Sequence, residues 1–219
     1  MTEDEWNITT DLSPMLAYLR AYDKASERKL RLFACACCRT VWNKMANHWS
    51  RMAVLAAERH ADRQSSREVL SYVHSAASQG TGMVIDANGS GEERAAARSA
   101  FAATDRRPFF AASRACSYSL TAECGGPDSV ARASLFRDIF GNPFRPATIE
   151  ASLLTPSITA LAREVYEHRT LPLGHLIPER LAALAEALGP SAREVVEHLR
   201  AAGPHVRGCW AVDLLLGKA

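Results

Sequence analysis

The chain has 219 residues, 47% hydrophobic and 23% charged, so it can bury a core and lacks the low hydrophobicity and high net charge of a disordered segment. Its 26 Lys and Arg against 24 Asp and Glu leave a formal charge of +2, which excludes a globally basic nucleic-acid arm but leaves room for a local basic patch. No apolar run approaches the roughly 18 residues of a membrane span, and the acidic start Met1-Thr2-Glu3-Asp4-Glu5-Trp6 has no apolar signal region.

The expected compartment is therefore the cytoplasm, with no membrane partner. The six cysteines, at positions 35, 37, 38, 116, 124 and 209, are expected to stay free thiols there.

Aromatic residues are only 7%, alanine is abundant, and no stretch alternates like a half-buried strand. These features predict an all-α chain of about eight to ten helices in a single domain over residues 1–219. Ser13-Pro14 starts a short helix through Leu19, and Ser26 caps a helix from Glu27 to about Trp49. Ser50 and Ser65-Ser66 start two more. The glycines of Gly80-Thr81-Gly82 and Asn88-Gly89-Ser90-Gly91 predict a Gly-rich loop near 80–91, a weak internal boundary. Helices follow over Glu92–Ala103 and Pro108–Ala122, the latter stopped by Gly125-Gly126, and Pro127-Asp128 opens another through Ile139. Gly141 to Pro146 is a turn-rich connector. The last third reads as helices over Ser157–His168, Pro178–Leu188, Ser191–Ala202 and about Val206–Leu216, separated by Gly189-Pro190 and Gly203-Pro204.

The segment Arg28 to Arg39 is the most distinctive. At 100° per residue Leu30, Phe33, Ala34, Cys37, Cys38, Val41 and Met45 share one broad face, so Cys37 and Cys38 should point into the core. Cys37 or Cys38 with His205 and Cys209, the last two spaced i,i+4, forms a candidate Zn2+ ligand set, because Zn2+ takes thiolate and imidazole donors. The competing reading is buried thiols that only pack. No cofactor is otherwise expected. No G-x-S-x-G elbow, P-loop, G-x-G-x-x-G or H-E-x-x-H occurs, and no catalytic residue is assigned. Glu194 and His198 read as a solvated i,i+4 pair rather than a zinc site.

The early basic cluster Arg28, Lys29, Arg31 and Arg39 is a candidate phosphate-binding surface if it converges, or else a solvated helix face. At the other end, Val212, Leu214, Leu215 and Leu216 predict a closing core helix, placed by an Arg207–Asp213 pair.

Four phrases carry a family resemblance. They are Thr2-Glu3-x-Glu5-Trp6 with Pro14-Met15-Leu16; Arg28-Lys29-Leu30-Arg31-Leu32-Phe33-Ala34-Cys35-Ala36-Cys37-Cys38-Arg39; Leu135 to Pro146, reading LFRDIFGNPFRP; and His205 to Lys218, reading HVRGCWAVDLLLGK. With them the chain resembles a paralogous family of planctomycete bacteria of the Gemmata type. The stretch from about 62 to 133 departs most from that pattern. The resemblance implies a bacterial intracellular protein and carries no catalytic residue. It marks Asp138, Asn142, Pro143, Arg145, Arg207, Trp210 and Asp213 as structural or binding positions beside the cysteines and His205. The expected function is a non-catalytic interaction or regulatory module whose partner is another protein. The alternatives are a Zn-stabilised helical domain and a nucleic-acid-binding protein.

Overall fold

The computed structural model describes residues 1–123 and 128–218. Among them are twelve α-helices and one minimal antiparallel β-pair. The helices are α1 (Glu3–Ile8), α2 (Leu12–Ala21), α3 (Glu27–Thr40), α4 (His48–Ala61), α5 (Arg67–Asp86), α6 (Gly91–Ala103), α7 (Pro108–Ala122) and α8 (Ser129–Phe140). The C-terminal third adds α9 (Pro156–Glu167), β1 (Arg169–Thr170), β2 (His175–Leu176), α10 (Pro178–Leu188), α11 (Arg193–Arg200) and α12 (Trp210–Leu216). None of these helices is long and apolar enough to cross a membrane.

Local chemistry sets most helix starts. The Ser26, Ser66 and Ser90 side chains accept the amides of Lys29, Val69 and Glu93, satisfying donors that the first turn leaves open. The Thr2–Glu5 capping box nucleates α1, a helix the sequence reading passed over. The true caps of α2 and α4 are Asp11 and Asn47, not the predicted Ser13 and Ser50.

Three further boundaries differ from expectation. The predicted helix over 27–49 stops at Thr40 and gives way to a 3-10 turn at Trp42–Lys44. The Gly-rich break near 80–91 narrows to residues 87–90, because Gly80 and Gly82 lie inside α5. Gly80 is needed there for close approach: a Cβ would sit 3.0 Å from both Asn47 Oδ1 and Trp49 Cβ. The C-terminal helix starts at Trp210 rather than about Val206, because Gly208 takes φ +93, with Leu32 of α3 lying where a Cβ would project. Cys124 and the predicted stop and start at Gly125-Gly126 and Pro127 lie outside the described residues.

Helix α3 runs through the centre, packed by α4, α6, α7 and α8, and every residue from Leu30 to Arg39 is buried. Three apolar clusters make up the core, two of them with residues of α3. The first joins α3 to α7 through small residues such as Ala96, Ala100, Ala111 and Ala115, which let backbones approach closely. The second gathers Trp6, Met15, Leu19, Phe33, Phe136 and Ile139 from α1, α2, α3 and α8. The third holds α9 to α12 through Val165, Leu181, Leu184, Val212 and Leu215, so the C-terminal strip closes a core as expected. The segment 205–209 straddles two of them, with Val206 in the second and Cys209 in the third.

Candidate metal centre

Four side chains from three parts of the chain meet where α8 faces the C-terminal third. Asp138 projects from α8, His198 from α11, His205 from the loop between α11 and α12, and Cys209 is the residue just before α12. Their ligand atoms all lie within 4.8 Å of one another. His205 Nδ1 is 2.7 Å and His198 Nε2 is 3.1 Å from the same carboxylate oxygen, Asp138 Oδ1. Cys209 Sγ is 3.3 Å from His198 Nε2. Bonds of 2.0–2.3 Å at a tetrahedral ion place ligand atoms about 3.3–3.8 Å apart, so small shifts suffice to admit one.

The hydrogen bonds around the cluster fix its protons. His205 faces an acceptor at each ring nitrogen: the Asp138 carboxylate at Nδ1 and the Ala201 carbonyl, 3.1 Å from Nε2. Both bonds form together only when the ring is an imidazolium; with an ion in place of the Nδ1 proton, the Nε2 bond to Ala201 remains and Asp138 meets the ion instead. Burial opposes that charge, but Asp138 holds the His205 pKa above its ordinary value. Burial likewise pushes against ionisation of Asp138, yet the bonds from His198 and His205 keep it below the usual carboxylate range. The Val206 amide donates to Asp138 Oδ2 at 2.8 Å. Burial pushes the Cys209 thiol well up.

The Trp210 indole nitrogen lies 3.2 Å from His198 Nδ1. An indole N–H only donates, so Nδ1 accepts and the neutral His198 ring carries its proton on Nε2, toward Asp138 and Cys209. This excludes a nucleophile–base–carboxylate relay, in which the carboxylate must sit on the far nitrogen from the thiol. The arrangement is chemically a nitrogen, oxygen and sulfur donor set suited to a divalent transition metal of the zinc class.

Of the sequence-predicted ligands, His205 and Cys209 are brought together here. Cys37 and Cys38 are not: Cys37 faces Cys116 of α7, and Cys38 Sγ lies 3.2 Å from Ser99 Oγ of α6. Asp138 and His198 stand in their places. Asp138 was legible only as a motif position, and His198 does not form the solvated pair expected with Glu194. The one sequence signal for His198 was its place between two stop signals, near the His205–Cys209 phrase.

The basic cluster is internal. Arg31 donates to the Ala103 carbonyl at 2.9 Å, and Arg39 clamps Glu58 at 2.6 and 2.8 Å. Arg169 clamps the same carboxylate at 3.0 and 3.1 Å. Arg28 pairs with Asp62 at 2.9 Å and holds Asp213 at 2.6 and 3.0 Å. Lys29 is half-buried. Arg207 pairs not with Asp213 but with Asp62, Nε to Oδ2, at 2.7 Å. Three of the four cations thus neutralise or cap internal acceptors, and no phosphate-facing strip forms from them. Asn142 fixes the connector by accepting from the Phe144 amide at 2.9 Å and donating to Glu3 at 2.8 Å. Pro143 follows it, and Arg145 reaches back to Glu3 at 3.0 Å on the surface.

Buried Glu58 gives a pH signature. Burial alone would raise its pKa, but Arg39 and Arg169 bring it down to about 2 from an ordinary 4.5. A depressed carboxylate contributes stability that is present above pH 4.5 and is lost as pH falls toward 2. The expected contribution is about 3 kcal/mol. Urea melts from pH 5 to 2.5 should lose stability steeply in the parent protein and less steeply in Glu58→Gln; equal slopes would refute the assignment.

No family model, no curated protein and no solved structure was found to match the chain.

Proposed function

We propose that this chain is a metal-binding helical domain, in which one zinc-class ion bound by Asp138, His198, His205 and Cys209 ties α8 to the C-terminal third. The observation that carries the reading is the orientation of His205. Its Nε2 is anchored on a backbone carbonyl while Nδ1 is aimed at the other donors, the outer hydrogen bond that metal-ligating histidines characteristically make. Four protein donors close the coordination sphere, which is the pattern of a structural rather than a catalytic ion. Bound metal would take the place of the His205 Nδ1 proton and the Cys209 thiol proton, so binding should release protons and weaken at acid pH.

Metal analysis of the purified chain, with thiol titration on the same sample, tests this. One ion per chain is expected, with His205→Ala and Cys209→Ser losing it and Cys37→Ser and Cys38→Ser keeping it. Retention by the first pair, or no retention by the parent after zinc loading, would overturn the proposal.

A second outcome follows from Trp210. To ligate through Nε2, His198 must carry its proton on Nδ1, where the indole N–H now sits. Metal loading must therefore displace the Trp210–His198 bond. Trp210→Phe removes the competitor, worth about 1 kcal/mol for a neutral hydrogen bond, and should tighten zinc binding roughly fivefold in competition with a chromophoric chelator. Weaker binding would mean that the indole supports the site.

A further inference from the structure

A cavity of about 460 Å³ lies between the start of α3, the connector after α8, and α12. That is within the size range of small-molecule sites. Its apolar floor is made by Phe140, Trp210 and Leu214. Four cations line it: Lys24, Lys29, Arg145 and Lys218. Two acids, Glu194 and Asp213, line it as well.

The acids do not satisfy the cations. Both oxygens of Asp213 are held by Arg28, at 2.6 and 3.0 Å. Arg145 is turned to Glu3 at 3.0 Å, and Lys218 lies 3.7 Å from Asp62. Lys24 and Lys29 have no acceptor within bonding distance among the described residues. Lys24 is exposed and solvated, but Lys29 is half-buried. Burial pulls the Lys29 pKa below its ordinary value; Asp213 attracts the ammonium from beyond hydrogen-bond distance, but both oxygens of that carboxylate are already bonded to Arg28. Glu194 is exposed and bonds to none of these cations, so the lining carries four cations against two carboxylates, a surplus of positive charge over an aromatic and aliphatic floor.

We propose that this cavity binds a small organic anion, its charged head paired with Lys29 and its apolar body laid on Phe140, Trp210 and Leu214. Lys24 at the rim supplies attraction at longer range. The site uses none of the donor atoms of the metal centre but shares Trp210 with it, so the titrations below are made on the metal-free chain, where failure of either reading is distinguishable from failure of the other.

Calorimetric titration of the full chain with phenyl phosphate and phenylacetate tests it, with benzyl alcohol as the neutral counterpart. At least one anion is expected to bind, and benzyl alcohol at least about tenfold more weakly, the worth of a charge-assisted hydrogen bond. The stronger of the two anions identifies the head group. Lys29→Met should weaken the bound anion by about tenfold or more, and Lys29→Arg by much less. Without ligand, Lys29→Met should melt no lower than the parent, because it removes a half-buried ammonium that no hydrogen bond holds. No heat from either anion, equal binding of benzyl alcohol, or unchanged binding by Lys29→Met would overturn the proposal. Should Lys29→Met fail to fold, reductive methylation of the parent decides the point by mass spectrometry. Protection of Lys29 by the anion supports the site, and unprotected labelling refutes it.

Discussion

Replacing Glu58 by Gln is expected to destabilise the fold by about 3–5 kcal/mol, the cost of leaving buried cations without their carboxylate. At about 2–4 °C per kcal/mol for a chain of this size, the melting temperature should fall by about 6–20 °C. The reason is geometric. Glu58 sits on α4 and is gripped by Arg39 from α3 and by Arg169 from β1, two forks on one carboxylate. Arg39 also donates to the Pro172 carbonyl at 2.7 Å, so the network reaches the loop between the two β-residue pairs. Gln keeps the volume and one acceptor but removes the charge, and two buried guanidiniums then face a neutral amide. The surface pair Arg193–Glu197 provides the contrast. Its side chains are 85% and 63% exposed, and Glu197→Gln should change stability by less than about 0.5 kcal/mol. Chemical denaturation of both variants decides the matter: a Glu58→Gln loss below about 1 kcal/mol would mean that the network adds little beyond its own desolvation.

The same residues show what the sequence made legible. Helices were readable at Ser26 and Ser66, where a hydroxyl side chain precedes an apolar period, because capping is local chemistry. α1 was equally readable from Thr2 and Glu5, and the capping box went unread. Gly80 misled because its meaning is tertiary: glycine breaks a helix by default, but here it admits Asn47 and Trp49. The charged face of α3 misled for a related reason. Arg31 and Arg39 look solvated by composition, yet their acceptors come from Ala103 and Glu58, which no spacing within α3 announces. The metal centre was half legible. His205 and Cys209 are four residues apart, so their proximity is a local matter. Asp138 lies 67 residues before His205 and is brought to it only by packing α8 against the C-terminal third. The cysteines of α3 are a more conspicuous pattern, but their thiols face α6 and α7.

Removing the metal should loosen the molecule along one seam. Asp138 stands on α8, whose Phe136 and Ile139 belong to the cluster shared with α1, α2 and α3. Cys209 belongs to the cluster that holds α9 to α12, and α11 carries His198. An ion held by all four donors therefore adds a tie between two cores that the Arg28–Asp213 pair and the Arg39–Glu58–Arg169 network join elsewhere. Without it, the centre retains a carboxylate, two imidazoles and a thiol, held by hydrogen bonds alone. A ligand at a thousandfold its dissociation constant stabilises by about 4 kcal/mol, which corresponds to roughly 8–16 °C for a chain of this length. Chelation of a zinc-loaded sample should lower the melting temperature by that amount, and zinc should restore it. Hydrogen exchange should localise the change, with amides of α11 and α12 losing protection while those of α3 and α7 keep theirs. His205→Ala should melt below the chelated parent, because it also deprives buried Asp138 of its closest partner, and should gain nothing from zinc. A melting temperature indifferent to chelator and zinc would leave the cluster as a hydrogen-bonded core network, with Trp210, His198, Asp138 and His205 fixing the seam by their protons alone.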